Sequence, residues 1–203
     1  ILAQGFAADM QPHAPSFSLA GKPGFEDLLR RFRSDHRTVI GNGNGKYHDP
    51  SALHDVITYV INTRKAPNYL GGFHVDRYDP IEDMQRVTEM FDKTNGVQLR
   101  HFIISFSPEE TRSASIVNDI ACMIVPYLGR EYQTVFAVHE DTTHLHIHIV
   151  CNALSYLDGH RYRGTKKEFY DFICHCNQIL RMFRMGNLRY VSNKIDTNPT
   201  SWL

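Results

Sequence analysis

Ten residues of this chain hold four histidines and two carboxylates: His139-Glu-Asp141-Thr-Thr-His144-Leu-His146-Ile-His148. Side chains alternate along a strand, so His144, His146 and His148 share one face while Leu145, Ile147 and Ile149 share the other. The preceding TVFAVH (134–139) also reads as a strand, and EDTT as a tight connection. A hairpin made this way carries His139 back across to the histidine face. Neutral imidazoles converging on one spot suit a divalent cation with positions left open for substrate. Because they are uncharged, they leave the ion its full charge, which is useful against a phosphate. A ligating imidazole needs a partner to fix its tautomer, and Asp141 is placed for that role. Cys174-His175-Cys176 is different. It lies in a helical pattern, where neighbours diverge by ~100°, and reads as core packing.

The elements that must position this cluster are legible as periods. A helix is predicted from about Asp49 or Ser51, with Leu53, Val56, Ile57, Val60 and Ile61 on its apolar stripe and Tyr59 off it. Further helices are predicted over 80–94, 109–127 and 166–184. HFIISFS (101–107) alternates as a strand, placing His101, Ile103 and Ser105 on one side. A short amphipathic helix is predicted at 25–36, and GNGNG (41–45) reads as a linker. The fold class is α+β: an antiparallel sheet of about five strands, helices on one side or at its edges, and the histidine hairpin central. Residues 1–50 form an arm or lead-in, and 51–203 the working domain.

Composition narrows the function. Apolar residues make up 42% of the 203, enough for a core and too many for a disordered chain. Lys plus Arg and Asp plus Glu number 22 each, which argues against a general nucleic-acid coat. Basic groups cluster at Arg161, Arg163, Lys166 and Lys167 and again at Arg181, Arg184 and Arg189, where phosphates can be met. The four cysteines show no framework spacing, and no run approaches the ~20 apolar residues of a membrane span. With no signal-peptide pattern, a reducing, cytoplasmic setting is expected.

The histidine segment followed by Ile149-Val150-x-Asn152 resembles motif III of the mobilisation relaxases of conjugative plasmids and integrative elements, members of the HUH endonuclease superfamily. Tyr59-Val-Ile-Asn with Lys65 is similar to that family's motif I, which holds a nucleophilic tyrosine. His101 to Pro108 resembles its motif II, and Asp158-Gly159-His-Arg-Tyr the turn after motif III. The resemblance implies a bacterial, metal-dependent relaxase that nicks one strand of a transfer origin and rejoins it through a 5′-phosphotyrosine. It implies His139, His146 and His148 as metal ligands, with His144 and Asp141 close by. It implies Tyr59 as nucleophile; a phenol with a pKa of ~10 needs help to ionise at neutral pH, which a metal or a carboxylate such as Asp55 would supply. His101, Ser105, Lys65, Arg161 and Arg163 would face the DNA. Manganese or magnesium is the cellular ion by availability, with zinc or nickel binding in vitro. Partners would be single-stranded origin DNA together with accessory relaxosome and coupling proteins.

More than fifty residues precede Tyr59, which leaves Tyr47, Tyr69 and His54 as alternative nucleophiles. Two other functions fit parts of the pattern. His144-Leu-His-Ile-His-Ile-Val also matches the histidine-triad nucleotide hydrolases, which need no metal but leave His139-x-Asp141 unexplained. A rolling-circle replication initiator is a second HUH nuclease with similar chemistry.

Overall fold

A computed structural model describes residues 39–42, 47–49, 51–76 and 78–190. The elements in chain order are β1 (Val39–Asn42), α1 (Ala52–Val60), β2 (Leu70–Phe73), α2 (Pro80–Met90), β3 (Leu99–Ser105), α3 (Ala114–Ile124), α4 (Pro126–Gly129), β4 (Tyr132–His139), β5 (His146–Ser155), α5 (Lys166–Met182) and β6 (Arg189–Tyr190). Among the described residues the strands form one sheet in the order β2-β4-β5-β3-β1-β6. All neighbours are antiparallel except the short β1–β6 pair. The predicted helix at 25–36 and most of GNGNG lie outside the described residues.

Strand alternation splits the apolar residues between two faces. Phe102, Ile104, Phe136, Val138, Ile147 and Ile149 pack beneath α3, α4 and α5. Leu99, Val135, Ala137 and Val150 face the other way and are covered by α1 and α2. The helices therefore lie on both faces of a six-stranded sheet, where the sequence had placed them on one side or at the edges. Helix starts follow local chemistry. Asp79 caps α2 by accepting from the Glu82 amide, with Pro80 next, and Thr165 and Glu168 form a reciprocal capping box on α5.

Three strands lacked a sequence signature. The edge strand β2 is Leu-Gly-Gly-Phe, with no alternation to read. Gly71 is there because a Cβ would fall 2.5 Å from the Phe136 ring, which lies across this strand. β1 lies within the stretch assigned to a lead-in arm, yet it pairs with β3 along its whole length, and Ile40 is fully buried. β6 is two residues long. The one surprise with consequences for function is α1, which is buried nearly all round rather than along one stripe.

Candidate active site

β4 and β5 meet at the connected end of their hairpin through the cross-strand pair His139–His146, and His148 lies one step further in, opposite Ala137. All three point to the α1 side of the sheet, and all three are buried, with exposures of 0%, 2% and 0%. Each offers a ligand atom, and these atoms lie within 4.8 Å of one another. The ring centroids of His139 and His148 are 4.1 Å apart. β5 begins only at His146, because the connection runs through an irregular segment over 140–145. His144 therefore leaves the strand face that the alternation predicted. It contributes its backbone carbonyl, which accepts from His146 Nδ1 at 2.6 Å and from the Thr142 hydroxyl at 2.7 Å.

Backbone carbonyls fix two tautomers, since a carbonyl can only accept. His146 must carry its proton on Nδ1, which leaves the Nε2 lone pair available. His139 donates Nε2–H to the Val60 carbonyl at 2.9 Å, a group that the end of α1 leaves without a helical partner. Its buried Nδ1 then has no hydrogen-bond partner. A buried lone pair without a donor, beside two further imidazoles, is what a cation would satisfy. The donor set fits a divalent ion.

Burial keeps these rings neutral. Desolvation pulls His139 and the neighbouring His101 down to about 3, lowers His146, and holds His148 well below the usual range. Because these values are depressed by folding, the unfolded chain takes up protons that the folded one refuses. The stability contributed is whole above the ordinary 6.5 and is lost as pH falls from there toward about 3. Denaturant unfolding of the chelated chain should weaken steeply between pH 6.5 and 4.5. The loss is up to about 1.4 kcal/mol per pH unit for each ring, and His139→Gln should remove one ring's share of that slope.

α1 delivers Tyr59 to the same place. Its ring lies 5.5 Å from that of His139 and 5.6 Å from that of His148. The tyrosine lies off the Leu53–Val56–Ile57 stripe, as its position on the helix predicts, but it is only 7% exposed because the histidine cluster covers it. A turn at Asn62, whose carbonyl accepts from the Lys65 and Ala66 amides, folds Lys65 back over the helix end. Lys65 Nζ then donates to the Tyr59 hydroxyl at 3.3 Å and sits 4.4 Å from its ring centroid. It is also 3.6 Å from Asp141 Oδ2.

Two predicted roles for carboxylates are corrected. Asp55 pairs with Ser51 Oγ at 3.3 Å and His54 Nδ1 at 3.5 Å, whereas Lys65 Nζ meets the Tyr59 hydroxyl. Asp141 does not hold a tautomer, a job the Val60 and His144 carbonyls perform. It lies 4.0 Å from His146 Nε2, on the lone-pair side of that ring, and it is partly exposed.

Among the residues expected to face DNA, Ser105 and His101 are buried at 2% and 4% exposure and line the protein side of the site. His101 Nε2 is 2.9 Å from His148 Nδ1, and its Nδ1 is 3.3 Å from the Tyr47 hydroxyl. Arg161 is also reassigned. Its guanidinium donates to the carbonyls of Lys93, Asn95 and Val97, tying the loop before β3 to the turn after β5. Arg163 is exposed. Arg161→Ala should therefore cost about 2 kcal/mol in denaturant unfolding. Arg163→Ala should leave that stability unchanged. Of the alternative nucleophiles, His54 is exposed, Tyr69 is half-buried against the other core, and Tyr47 is committed to His101. Cys176 packs in the core, as its helical position predicted. No helix among the described residues is long and apolar enough to cross a membrane.

Comparison with known proteins bears on the same residues. A family model described as the MobA/VirD2-like relaxase nuclease domain matches residues 59–185. Protein rlx of Staphylococcus aureus is 31% identical over 123 residues, covering 56% of this chain and 38% of that protein. The group II intron-interrupted relaxase LtrB of Lactococcus lactis is 29% identical over 117 residues, 57% of this chain and 21% of that one. Protein TraI of Escherichia coli is 34% identical over 163 residues, 78% of this chain and 18% of its own length. The chain thus spans between about a fifth and two-fifths of these relatives.

Proposed function

The chain belongs to the MobA/VirD2-like relaxases, through their nuclease domain, and from that premise we propose that it nicks and rejoins one strand of DNA at a transfer origin. The observation that carries the reading is the convergence of three buried imidazoles on one spot beside a tyrosine whose hydroxyl meets a lysine. Resealable cutting must conserve the phosphodiester bond energy, which calls for a covalent protein–phosphate ester rather than hydrolysis. Tyr59 is the nucleophile of this mechanism. The phenol gives up its proton to solvent, its oxygen bonds to phosphorus as the P–O3′ bond breaks, and the electron pair leaves with the 3′ oxygen, which takes a proton from solvent. The products are a 5′-phosphotyrosine and a free 3′ hydroxyl, and the reverse attack reseals the strand.

Lys65 supports the first step, because an ammonium donating to the Tyr59 oxygen favours the phenolate over the phenol. Asp141 holds Lys65 from the other side. Both are about a third exposed, at 31% and 30%, so they mark the side from which the strand enters. His139, His146 and His148 are the residues that hold a divalent ion, with manganese or magnesium the cellular choice. When bound, that ion neutralises the charge that develops on the scissile phosphate. Arg163 and the exposed residues of α5 meet the backbone of the strand. The setting is the bacterial cytoplasm, with accessory relaxosome and coupling proteins at the origin.

The test is an adduct assay. The chain is mixed with a labelled single strand of the cognate origin and manganese, then resolved under denaturing conditions. A labelled band at the mass of protein plus DNA is expected. An unshifted strand at every manganese concentration overturns the enzyme reading.

A further inference from the structure

Two of the three cluster histidines lean on carbonyls, and the third does not. His148 Nδ1 meets His101 Nε2 at 2.9 Å, and His101 Nδ1 meets the Tyr47 hydroxyl at 3.3 Å. His101 sits on β3, diagonally across from His148 on β5, on the same face of the sheet. Tyr47 lies in the chain segment between β1 and α1, and its carbonyl accepts from the Gln98 amide at 2.6 Å just before β3. The three groups form one hydrogen-bonded row from the half-buried Tyr47 into the histidine cluster.

A neutral imidazole carries one N–H, so the row has two registers. In the first, Tyr47 donates to His101 Nδ1 and His101 Nε2–H donates to His148 Nδ1. His148 then bears its proton on Nε2 and has no lone pair for a cation. In the second, His148 Nδ1–H donates to His101 Nε2, and His101 Nδ1–H donates to the Tyr47 oxygen. His148 Nε2 then carries a lone pair. His139 and His146 have no such choice, because the Val60 and His144 carbonyls accept in every state.

We propose that His101 is a positioning residue that, backed by Tyr47, holds His148 in its ligand tautomer, the second register, in which His101 Nε2 accepts from His148 Nδ1–H and leaves the His148 Nε2 lone pair for the cation. This rests on the metal reading above. It replaces the expectation that His101 touches DNA with a role inside the protein.

The test is calorimetric titration of the whole chain with Mn²⁺ and with Zn²⁺, beside His101→Phe, His101→Gln and Tyr47→Phe. His101→Phe fills the same space without an acceptor and should weaken both ions by 10- to 100-fold, the range for losing the outer partner of a ligating histidine. His101→Gln can present its amide oxygen to His148 Nδ1–H and should recover most of that loss. Tyr47→Phe should weaken binding by about 2- to 10-fold, one neutral hydrogen bond. A second readout stands apart from affinity. Nitrogen-15 shifts of the zinc-loaded chain should report both His148 and His101 protonated on Nδ1. His101 protonated on Nε2 in that state overturns the proposal even if His101→Phe fails to fold. So does His101→Phe binding as tightly as the unaltered chain, or His101→Gln binding as poorly as His101→Phe. If the unaltered chain takes up neither ion, the metal reading itself falls and this proposal with it.

Discussion

Tyr59→Phe should abolish covalent joining to the origin strand and leave the fold and metal uptake in place. The substitution removes one oxygen from a side chain whose ring is buried against those of His139 and His148. The ring that fills this space is retained, so no cavity opens. What is lost is the acceptor for Lys65 Nζ, at a cost of about 1 kcal/mol, and Lys65 keeps Asp141 as its second partner. Affinity for the single strand should change by less than about tenfold, because one uncharged hydroxyl contributes no more than that. The adduct band, by contrast, should vanish, since phenylalanine has no atom to attack phosphorus. Peptide mapping of the adduct formed by the unaltered chain should find the phosphate on Tyr59. If Tyr59→Phe still forms the adduct, the nucleophile is elsewhere, and Tyr69, Tyr47 and His54 are the positions to replace next.

Replacing any one of His139, His146 or His148 by alanine should lower manganese affinity by more than about a hundredfold. Loss of a ligand's outer partner already costs 10- to 100-fold, and loss of a ligand removes a donor atom outright. Nicking should fall to background in the same variants, while strand binding through the exposed basic groups persists. The three are not equivalent in stability. His139→Ala also strips the Val60 carbonyl of its donor at the end of α1, in a buried setting. That variant should be less stable than His146→Ala by about 1–3 kcal/mol in denaturant unfolding. Titration calorimetry and a gel-based nicking assay check both halves. Three variants that bind manganese as the unaltered chain does would falsify the assignment of the centre.

Lys65 shows where local reading runs short. Its place beside Tyr59 depends on the Asn62 turn, which six residues of sequence contain but do not announce. Asp55, four residues before Tyr59 on the same helix, looked the better helper by spacing. It is claimed instead by Ser51 and His54 on the outer side of α1. His144 failed for a related reason. The alternation is sound from His146 onward, but the hairpin connection is six residues rather than four, and the strand face starts after it.

The chain alone determined what strand geometry and residue chemistry dictate at short range. The period of two puts His146 and His148 on one face, and a hairpin returns His139 to them. The helical period marks α1, α2, α3 and α5, and the motif spacings identify the family. Only the tertiary structure decided which hydrogen-bond partner each imidazole has, that His101 is buried behind His148, and that α1 is covered on almost every side. It also decided that Arg161 closes a loop instead of meeting a phosphate. Those outcomes join residues 47 to 101, 60 to 139, 101 to 148 and 97 to 161. The residues of each pair are brought together by sheet pairing and helix packing, and no local period encodes a contact across such a separation.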